Sequence, residues 1–255
     1  MKLTVLIPGS SFPRLRSAVT LLRSEGLHIL VDSGLAEDGG RLLAALDQEG
    51  VEPGEVDVVI ATHLHYDHCG NHLLFPRASY LVGAGDLAAV RSFMAFFHAD
   101  GSPGKTATAD LLRGSYEDIK PFYIRSIVRE VTRNLAFYDL VLAGDPRFVP
   151  LDTLCWLTSE VEIVSTAGHT QGHRSVVAHG VELEDGGFAD VLIAGDAVPG
   201  GEIVKRASAA EIPLVADSAL YWRTRRSLLD RYRYIIPGHG TSISNGSRLA
   251  TGARS

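Results

Sequence analysis

Cysteine is scarce in this 255-residue chain. Cys69 and Cys155 are its whole complement, too few for a disulfide framework, and both read as free thiols in a reducing compartment. A basic surplus is missing too. The formal net charge is -6 and the isoelectric point about 5.9, so nothing draws the chain as a whole to nucleic acid or an anionic membrane. No apolar stretch approaches the ~20 residues a transmembrane helix requires. The first apolar run, residues 3–7, is broken by Pro8-Gly9 and is too short for the apolar region of a signal peptide. Low-complexity tracts and short-period repeats are also missing. These absences predict a cytoplasmic protein with no membrane partner, acting on a small molecule and not on nucleic acid.

What is present is ordinary globular composition, 45% hydrophobic and 21% charged, enough for one domain with a sizeable core. Residues 18–22 and 27–31 read as a hairpin turning at Glu25-Gly26, closed by Asp32-Ser33-Gly34. Residues 40–49 read as an amphipathic helix, with Leu42, Leu43 and Leu46 on one face and Gly50 at its C-cap. Residues 57–61, Asp-Val-Val-Ile-Ala, form a β-branched run typical of a strand buried on both faces. Another strand is expected at 78–82. From about 85 to 150 the pattern turns helical, with helices expected at 87–98 and 119–142 and a loop at 101–108. Strands resume at 161–165, 175–179 and 191–194, followed by a helix at 218–231 and a strand at 234–236. The polar segment 241–255 is expected to be a partly disordered tail.

Ten histidines occur, and their placement carries the chemistry. His63, His65 and His68 lie within six residues, with Asp67 among them, directly after the buried strand. In an extended segment i and i+2 project to the same side, so His63 and His65 can grip one ion. Asp67 and His68 follow where the chain must turn and address a neighbouring place. Four local ligands leave two ions under-coordinated, and three further candidates each end a strand beside glycine: His169, Asp196 and His239. A lone histidine at a strand end is usually a satisfied structural residue; the full set at this spacing is not.

The seven residues resemble the metallo-β-lactamase superfamily. His63, His65, Asp67 and His68 match its His-x-His-x-Asp-His motif, His169, Asp196 and His239 its later ligands, and Asp32-Ser33-Gly34 its Val-Asp-x-Gly segment. The resemblance implies an α/β fold, a four-layer αβ/βα sandwich of two mixed β-sheets with outer helices. It places one such domain at 1–240 with a helical insertion at about 85–150. It implies two Zn2+ ions, with iron or manganese as alternatives. His63, His65 and His169 would hold the first, Asp67, His68 and His239 the second, and Asp196 would bridge them. Asp67, His68 and Asp196 then stand at the chemistry, a hydrolysis by a metal-bridging hydroxide. Asp196 replaces the cysteine of many true β-lactamases, which argues against antibiotic hydrolysis as the native role.

Other residues are assigned more loosely. Of Thr62, Asp32, Thr166 and Thr170, Asp32 is favoured to orient a ligand imidazole, and the three threonines read as ordinary capping or turn residues. Cys69 reads as a structural thiol. Phe93, Phe97, His72 and His173 are candidate substrate contacts. The aromatic and Met-rich insertion (Phe93, Met94, Phe96, Phe97, Phe122, Tyr123, Phe137, Tyr138) reads equally as a lid over an apolar substrate, as helix packing, or as a homodimer interface. Arg125, Arg129 and Arg133, and Arg223, Arg225, Arg226, Arg231 and Arg233, read as solvated faces, with an anion site as the alternative. The expected substrate is a carboxyl derivative: ester, lactone or thioester. No tyrosine follows Asp196 as in many acyl-homoserine lactonases, which counts against a lactone. The chain ends soon after Gly240, which counts against a glyoxalase II type. A phosphodiesterase or nuclease, and a persulfide dioxygenase using one iron, are the alternatives.

Overall fold

A computed structural model describes residues 1–11, 15–99, 106–116, 119, 121–152, 155–183, 185–200 and 214–244. The first sheet runs in the order of the chain: β1 (Lys2–Ile7), β2 (Val19–Ser24), β3 (Leu27–Val31), β4 (Val58–Ala61), β5 (Ser79–Gly83) and β6 (Phe148–Leu151). β1, β2 and β3 pair antiparallel, whereas β3 to β6 are parallel. The second sheet has the order β12-β11-β10-β9-β8-β7, formed by β7 (Cys155–Thr158), β8 (Val161–Ser165), β9 (Arg174–Glu182), β10 (Phe188–Gly195), β11 (Tyr234–Pro237) and β12 (Ile243–Ser244). β10 and β11 are parallel and the other pairs antiparallel. Both sheets are therefore mixed, as expected.

The helices are α1 (Gly39–Gln48), α2 (Tyr66–Cys69), α3 (Ala84–Ala99), α4 (Thr106–Ser115), α5 (Pro121–Arg133), α6 (Leu135–Ala143) and α7 (Ser218–Arg231). Strand residues alternate between two buried faces, which explains why their runs read as continuously apolar. Ile29, Val31 and Ile60 face Val176, Ile193 and Ile236 between the sheets. Leu30, Val59 and Val82 point the other way, against Leu42 and Leu46 of α1 and Leu87, Met94 and Val141 of α3 and α6. Val177, Leu192 and Ile235 pack on Leu228 of α7. The layers are thus helix, sheet, sheet, helix. No helix among the described residues is long and apolar enough to cross a membrane.

The hairpin at 18–31 forms as expected, with Glu25 and Gly26 at φ of 52° and 82°, the left-handed pair a two-residue turn needs. Three expectations are corrected. The single helix at 119–142 is two helices: Asn134 leaves helical geometry at φ -105°, ψ 23°, in keeping with the tendency of asparagine to compete for backbone bonds. The loop expected at 101–108 gives way to α4 from Thr106 onward. The helical stretch ends at Ala143, and Phe148–Leu151 is an edge strand, where Pro150 is tolerated. The four helices α3 to α6 are therefore the crossover between parallel strands β5 and β6. Ile243–Ser244 pairs with β11; residues 245–255 of the expected tail lie outside the described residues.

Candidate metal centre

The seven expected ligands come from both sheets and meet at one edge. His63 follows β4, and His65 is the extended residue before the single turn α2, which carries Asp67 and His68. His169 lies in the β8–β9 loop, Asp196 follows β10, and His239 follows β11. His63, His68, His169 and His239 are essentially buried, as are Asp67 and Asp196.

Their donor atoms form two clusters. His63 Nε2 lies 2.9 Å from His65 Nδ1, which lies 3.1 Å from His169 Nε2. Asp67, His68 and His239 form the second group. Asp196 stands between them. Its Oδ2 is 3.4 Å from His169 Nε2, and its Oδ1 is 3.4 Å from His68 Nε2 and 3.2 Å from His239 Nε2.

This donor set fits a pair of divalent ions. Three ring nitrogens crowd together where no more than one proton fits between any two of them, and a shared cation resolves that crowding. His68 Nε2 and Asp196 Oδ1 are buried and make no hydrogen bond among the described residues, and a buried polar atom without a partner is costly.

The far nitrogens explain how the rings are held. Asp32 Oδ2 accepts from His68 Nδ1 at 2.7 Å, while the same carboxylate accepts from the Thr62 amide at 2.7 Å and the Thr62 hydroxyl at 2.9 Å. Asp32 sits at φ 61°, a left-handed strain that aspartate tolerates better than most residues. His63 Nδ1 bonds Thr62 Oγ1 at 3.1 Å, and the Arg16 carbonyl accepts from His239 Nδ1 at 2.9 Å. His65 Nε2 meets Tyr116 Oη at 2.8 Å, at the end of α4. The Ser17 hydroxyl donates to the Asp67 carbonyl at 2.6 Å. Gly238 has no side chain for a steric reason: a methyl group there would collide with Asp196 Oδ1.

Burial drives His63 and His169 well below the usual imidazole range and lowers His65 to about 4. These three are neutral rings, the form that binds metal. Burial also lowers His68 and His239, but the surrounding carboxylates outweigh it. Asp32 and Asp196 hold His68 well above the ordinary value, and Asp196 raises His239. Burial would raise Asp196 in turn, yet His239 and His68 hold it well below the carboxylate range. The second cluster is therefore a compensated charge group, and the first a neutral one.

Thr166 and Thr170 make local bonds away from the ligand imidazoles, the reading favoured for both from sequence. The Thr166 hydroxyl pairs with His173 Nδ1 at 2.8 Å, and Thr170 donates to Asp86 at 2.9 Å. His173 Nε2 accepts from the Asp196 amide at 3.1 Å, so this fully buried ring shapes the loop that presents Asp196. His72 is also fully buried, bonded to Ser33 Oγ at 2.5 Å. Neither ring lines the cavity over the site. Phe97 packs in the core beside Met94, and of the four proposed substrate contacts Phe93 is the one on the cavity wall. Cys69 is structural: its thiol bonds the His65 carbonyl at 3.2 Å, and burial pushes its pKa up.

That cavity, about 190 Å³, opens over the candidate ligands His65, Asp67, His169, Asp196 and His239. Its upper wall is apolar, from Val90, Phe93, Leu112, Ile127, Val131 and Tyr138. Among the described residues it carries no lysine or arginine. Two arginines of α5 are paired at the surface: Arg129 and Arg133 bond Glu130 at 2.8 and 3.0 Å. Arg225 is buried, its guanidinium 4.8 Å from the Trp222 ring centroid. The side chains of Phe122 and Tyr123 lie outside what is described.

Sequence reading missed several residues. Asp86 accepts from Thr170 and, at 2.7 Å, from the Gly172 amide, clamping the loop that carries His169; burial raises it to about 6. Tyr138 of α6 donates to the Leu64 carbonyl at 3.0 Å, and the Arg16 carbonyl and Tyr116 complete two imidazoles. None of these stands in a motif, and nothing in the sequence pairs them with the ligands.

A profile of the metallo-beta-lactamase superfamily matches residues 13–239. The chain belongs to that superfamily. Among its relatives, metallo-beta-lactamase domain-containing protein 1 of Xenopus laevis is 28% identical over 225 residues, 88% of this chain and 70% of that protein. The rat protein of the same name is 52% identical over 54 residues, 21% of this chain and 22% of the rat protein. For the rat, mouse and human proteins the match therefore spans about a fifth of their length. AidC, a dizinc quorum-quenching lactonase solved with the product N-hexanoyl-L-homoserine, superposes with a TM-score of 0.66 at 14% identity, covering 94% of this chain and 80% of AidC. At that identity the likeness speaks for the superfamily fold.

Proposed function

We propose that this superfamily member is a dinuclear zinc hydrolase of carboxyl derivatives, and that its substrate carries an apolar group on the acyl or leaving side. The observation that carries this reading is Asp196 set between two ligand trios at the floor of an apolar cavity. His63, His65 and His169 would hold one ion, Asp67, His68 and His239 the other, with Asp196 shared. When bound, a pair of divalent ions supplies an ionised water at neutral pH and polarises a carbonyl oxygen.

The chain's own residues do the rest. Asp32, Thr62 and the Arg16 carbonyl fix ring orientation, which outer partners of metal ligands commonly do. Phe93, Ile127 and Val131 exclude water from the bound substrate and receive its apolar part. The absence of lysine and arginine from the described wall favours a neutral carboxyl derivative over a phosphodiester. AidC, a lactonase, offers a precedent on this fold for opening a carboxyl derivative with two zinc ions.

The test is metal analysis of the purified protein, coupled to turnover of lactones, thioesters, aryl esters and phosphodiesters. About two zinc ions per chain with hydrolysis of hexanoyl esters is expected. One iron per chain with oxygen uptake on a persulfide would sink the proposal.

A further inference from the structure

Among the described residues, Tyr116 is the one cavity residue of the α3–α6 crossover in hydrogen-bond contact with a proposed ligand. It lies just beyond α4, and its hydroxyl oxygen is 2.8 Å from His65 Nε2. His65 turns Nδ1 toward His63 and His169. If that nitrogen offers its lone pair to an ion, the neutral ring must carry its proton on Nε2. Nε2–H then donates to Tyr116 Oη. The Tyr116 hydroxyl becomes an acceptor in that bond, and its own proton is left to donate elsewhere. Among the described residues the hydroxyl meets no other hydrogen-bond partner.

Where that proton can go is limited. Tyr116 lines the apolar cavity together with His65, His169 and Asp196. It also lines an adjoining, more polar cavity with Asp86, Ser115, Thr170 and Gln171. It therefore stands where the apolar chamber, the ligand cluster and a polar side channel meet. Resting on the hydrolase reading above, we propose that Tyr116 is a catalytic hydrogen-bond donor to the carbonyl oxygen of the substrate, with His65 Nε2–H supplying the bond that turns its hydroxyl proton toward the cavity. The donation stabilises the negative charge that develops on that oxygen. No proton is transferred to the product, and the tyrosine is unchanged after each turnover. The protein thereby recruits a donor from its crossover helices, although Asp196 is followed by Ala-Val-Pro-Gly with no tyrosine.

The test is Tyr116→Phe in the zinc-loaded full chain, which keeps the ring and removes the hydroxyl. Three quantities are measured: zinc per chain, kcat and KM on p-nitrophenyl hexanoate, and the dissociation constant of hexanoate by calorimetry. Hexanoate is the acid product of that ester and offers a carboxylate oxygen to the proposed donor. The expected result is unchanged zinc content, kcat lower by about 10²-fold as for loss of one such donor, KM within about threefold, and hexanoate bound several-fold more weakly. If kcat and hexanoate binding are unchanged while the wild type is active, the assignment of Tyr116 falls and the hydrolase reading stands. If activity falls only in proportion to lost zinc, Tyr116 merely positions His65 and the donor role is overturned. If the wild type neither cleaves the ester nor binds hexanoate, the hydrolase reading fails and takes this inference with it.

Discussion

The loops at the sheet edge and the α3–α6 crossover face each other over the same cavity, yet they hold their side chains by different means. On the sheet side, His63, His68 and His239 each end a strand or the turn after one, and their far nitrogens are tied to Thr62, Asp32 and the Arg16 carbonyl. Those partners are themselves fixed by strand hydrogen bonds or by the bidentate pairing of Asp32 with Thr62. The crossover touches these loops through three side chains, Tyr116 on His65, Tyr138 on the Leu64 carbonyl and Asp86 on Thr170 and the Gly172 amide, and lines the cavity with apolar wall. Rigid backbone thus sets the candidate ligands, and a helical layer forms the wall over them. This division is common where loops and insertions on a fixed scaffold carry specificity.

The largest expected effect breaks the sheet side at its centre. Asp196→Ala removes the one carboxylate set between both clusters, so hydrolysis should fall to background and zinc content below two per chain, while circular dichroism stays that of the folded protein. Full activity with two zinc ions retained would remove Asp196 from the centre. A smaller loss follows one step out. Asp32→Asn weakens the bond that orients His68, and loss of such a partner typically lowers metal affinity about 10- to 100-fold. Titration against a chromophoric chelator would read this as one weakened site beside one unchanged site. Equal weakening of both would mean that the two clusters are not separately supported.

The same division decides what could be read from sequence. The ligand loop was legible because strand periodicity places His63 and His65 on one side, and because His169, Asp196 and His239 each follow a recognisable apolar strand. Residues that act through the third dimension were not. Tyr116, Asp86 and the Arg16 carbonyl meet the site only after β-strands far apart in sequence are brought together, and a carbonyl carries no residue signature at all. His72 and His173 show the opposite error. Each lies four residues after a ligand, which suggested the cavity, but the chain turns between them and buries both rings. The crossover misled for a related reason. Its apolar spacing continues across Asn134, so periodicity alone ran two helices together. β6 and β7 are short edge strands, four residues each, without an alternating pattern to announce them.

The crossover side can be sharpened without touching a ligand. Val90 is half-buried on the cavity wall. Val90→Phe should fill part of the chamber, lowering kcat/KM for a hexanoyl ester about tenfold and leaving the acetyl ester nearly unchanged, since each methylene denied apolar contact costs about 0.8 kcal/mol. A uniform loss across chain lengths would mean the substitution acts on the centre and not on the chamber.

The smallest effect is expected on the outer face of α5. Ile127 and Val131 of this helix line the cavity. At about 100° per residue, Arg129 lies roughly 200° from each of them, and Arg133 roughly 200° from Val131. Arg129 and Arg133 therefore point away from the cavity, and Arg133 bonds Glu130 at 3.0 Å and Glu37 at 3.2 Å. With a side chain 51% exposed, that pairing is screened by water. Arg133→Ala should change stability by no more than about 0.5 kcal/mol and leave KM for a hexanoyl ester unaltered. A substantial rise in KM confined to substrates bearing a carboxylate would place an anion site on this face, and would mean that the crossover reads the substrate from outside the cavity as well as from within.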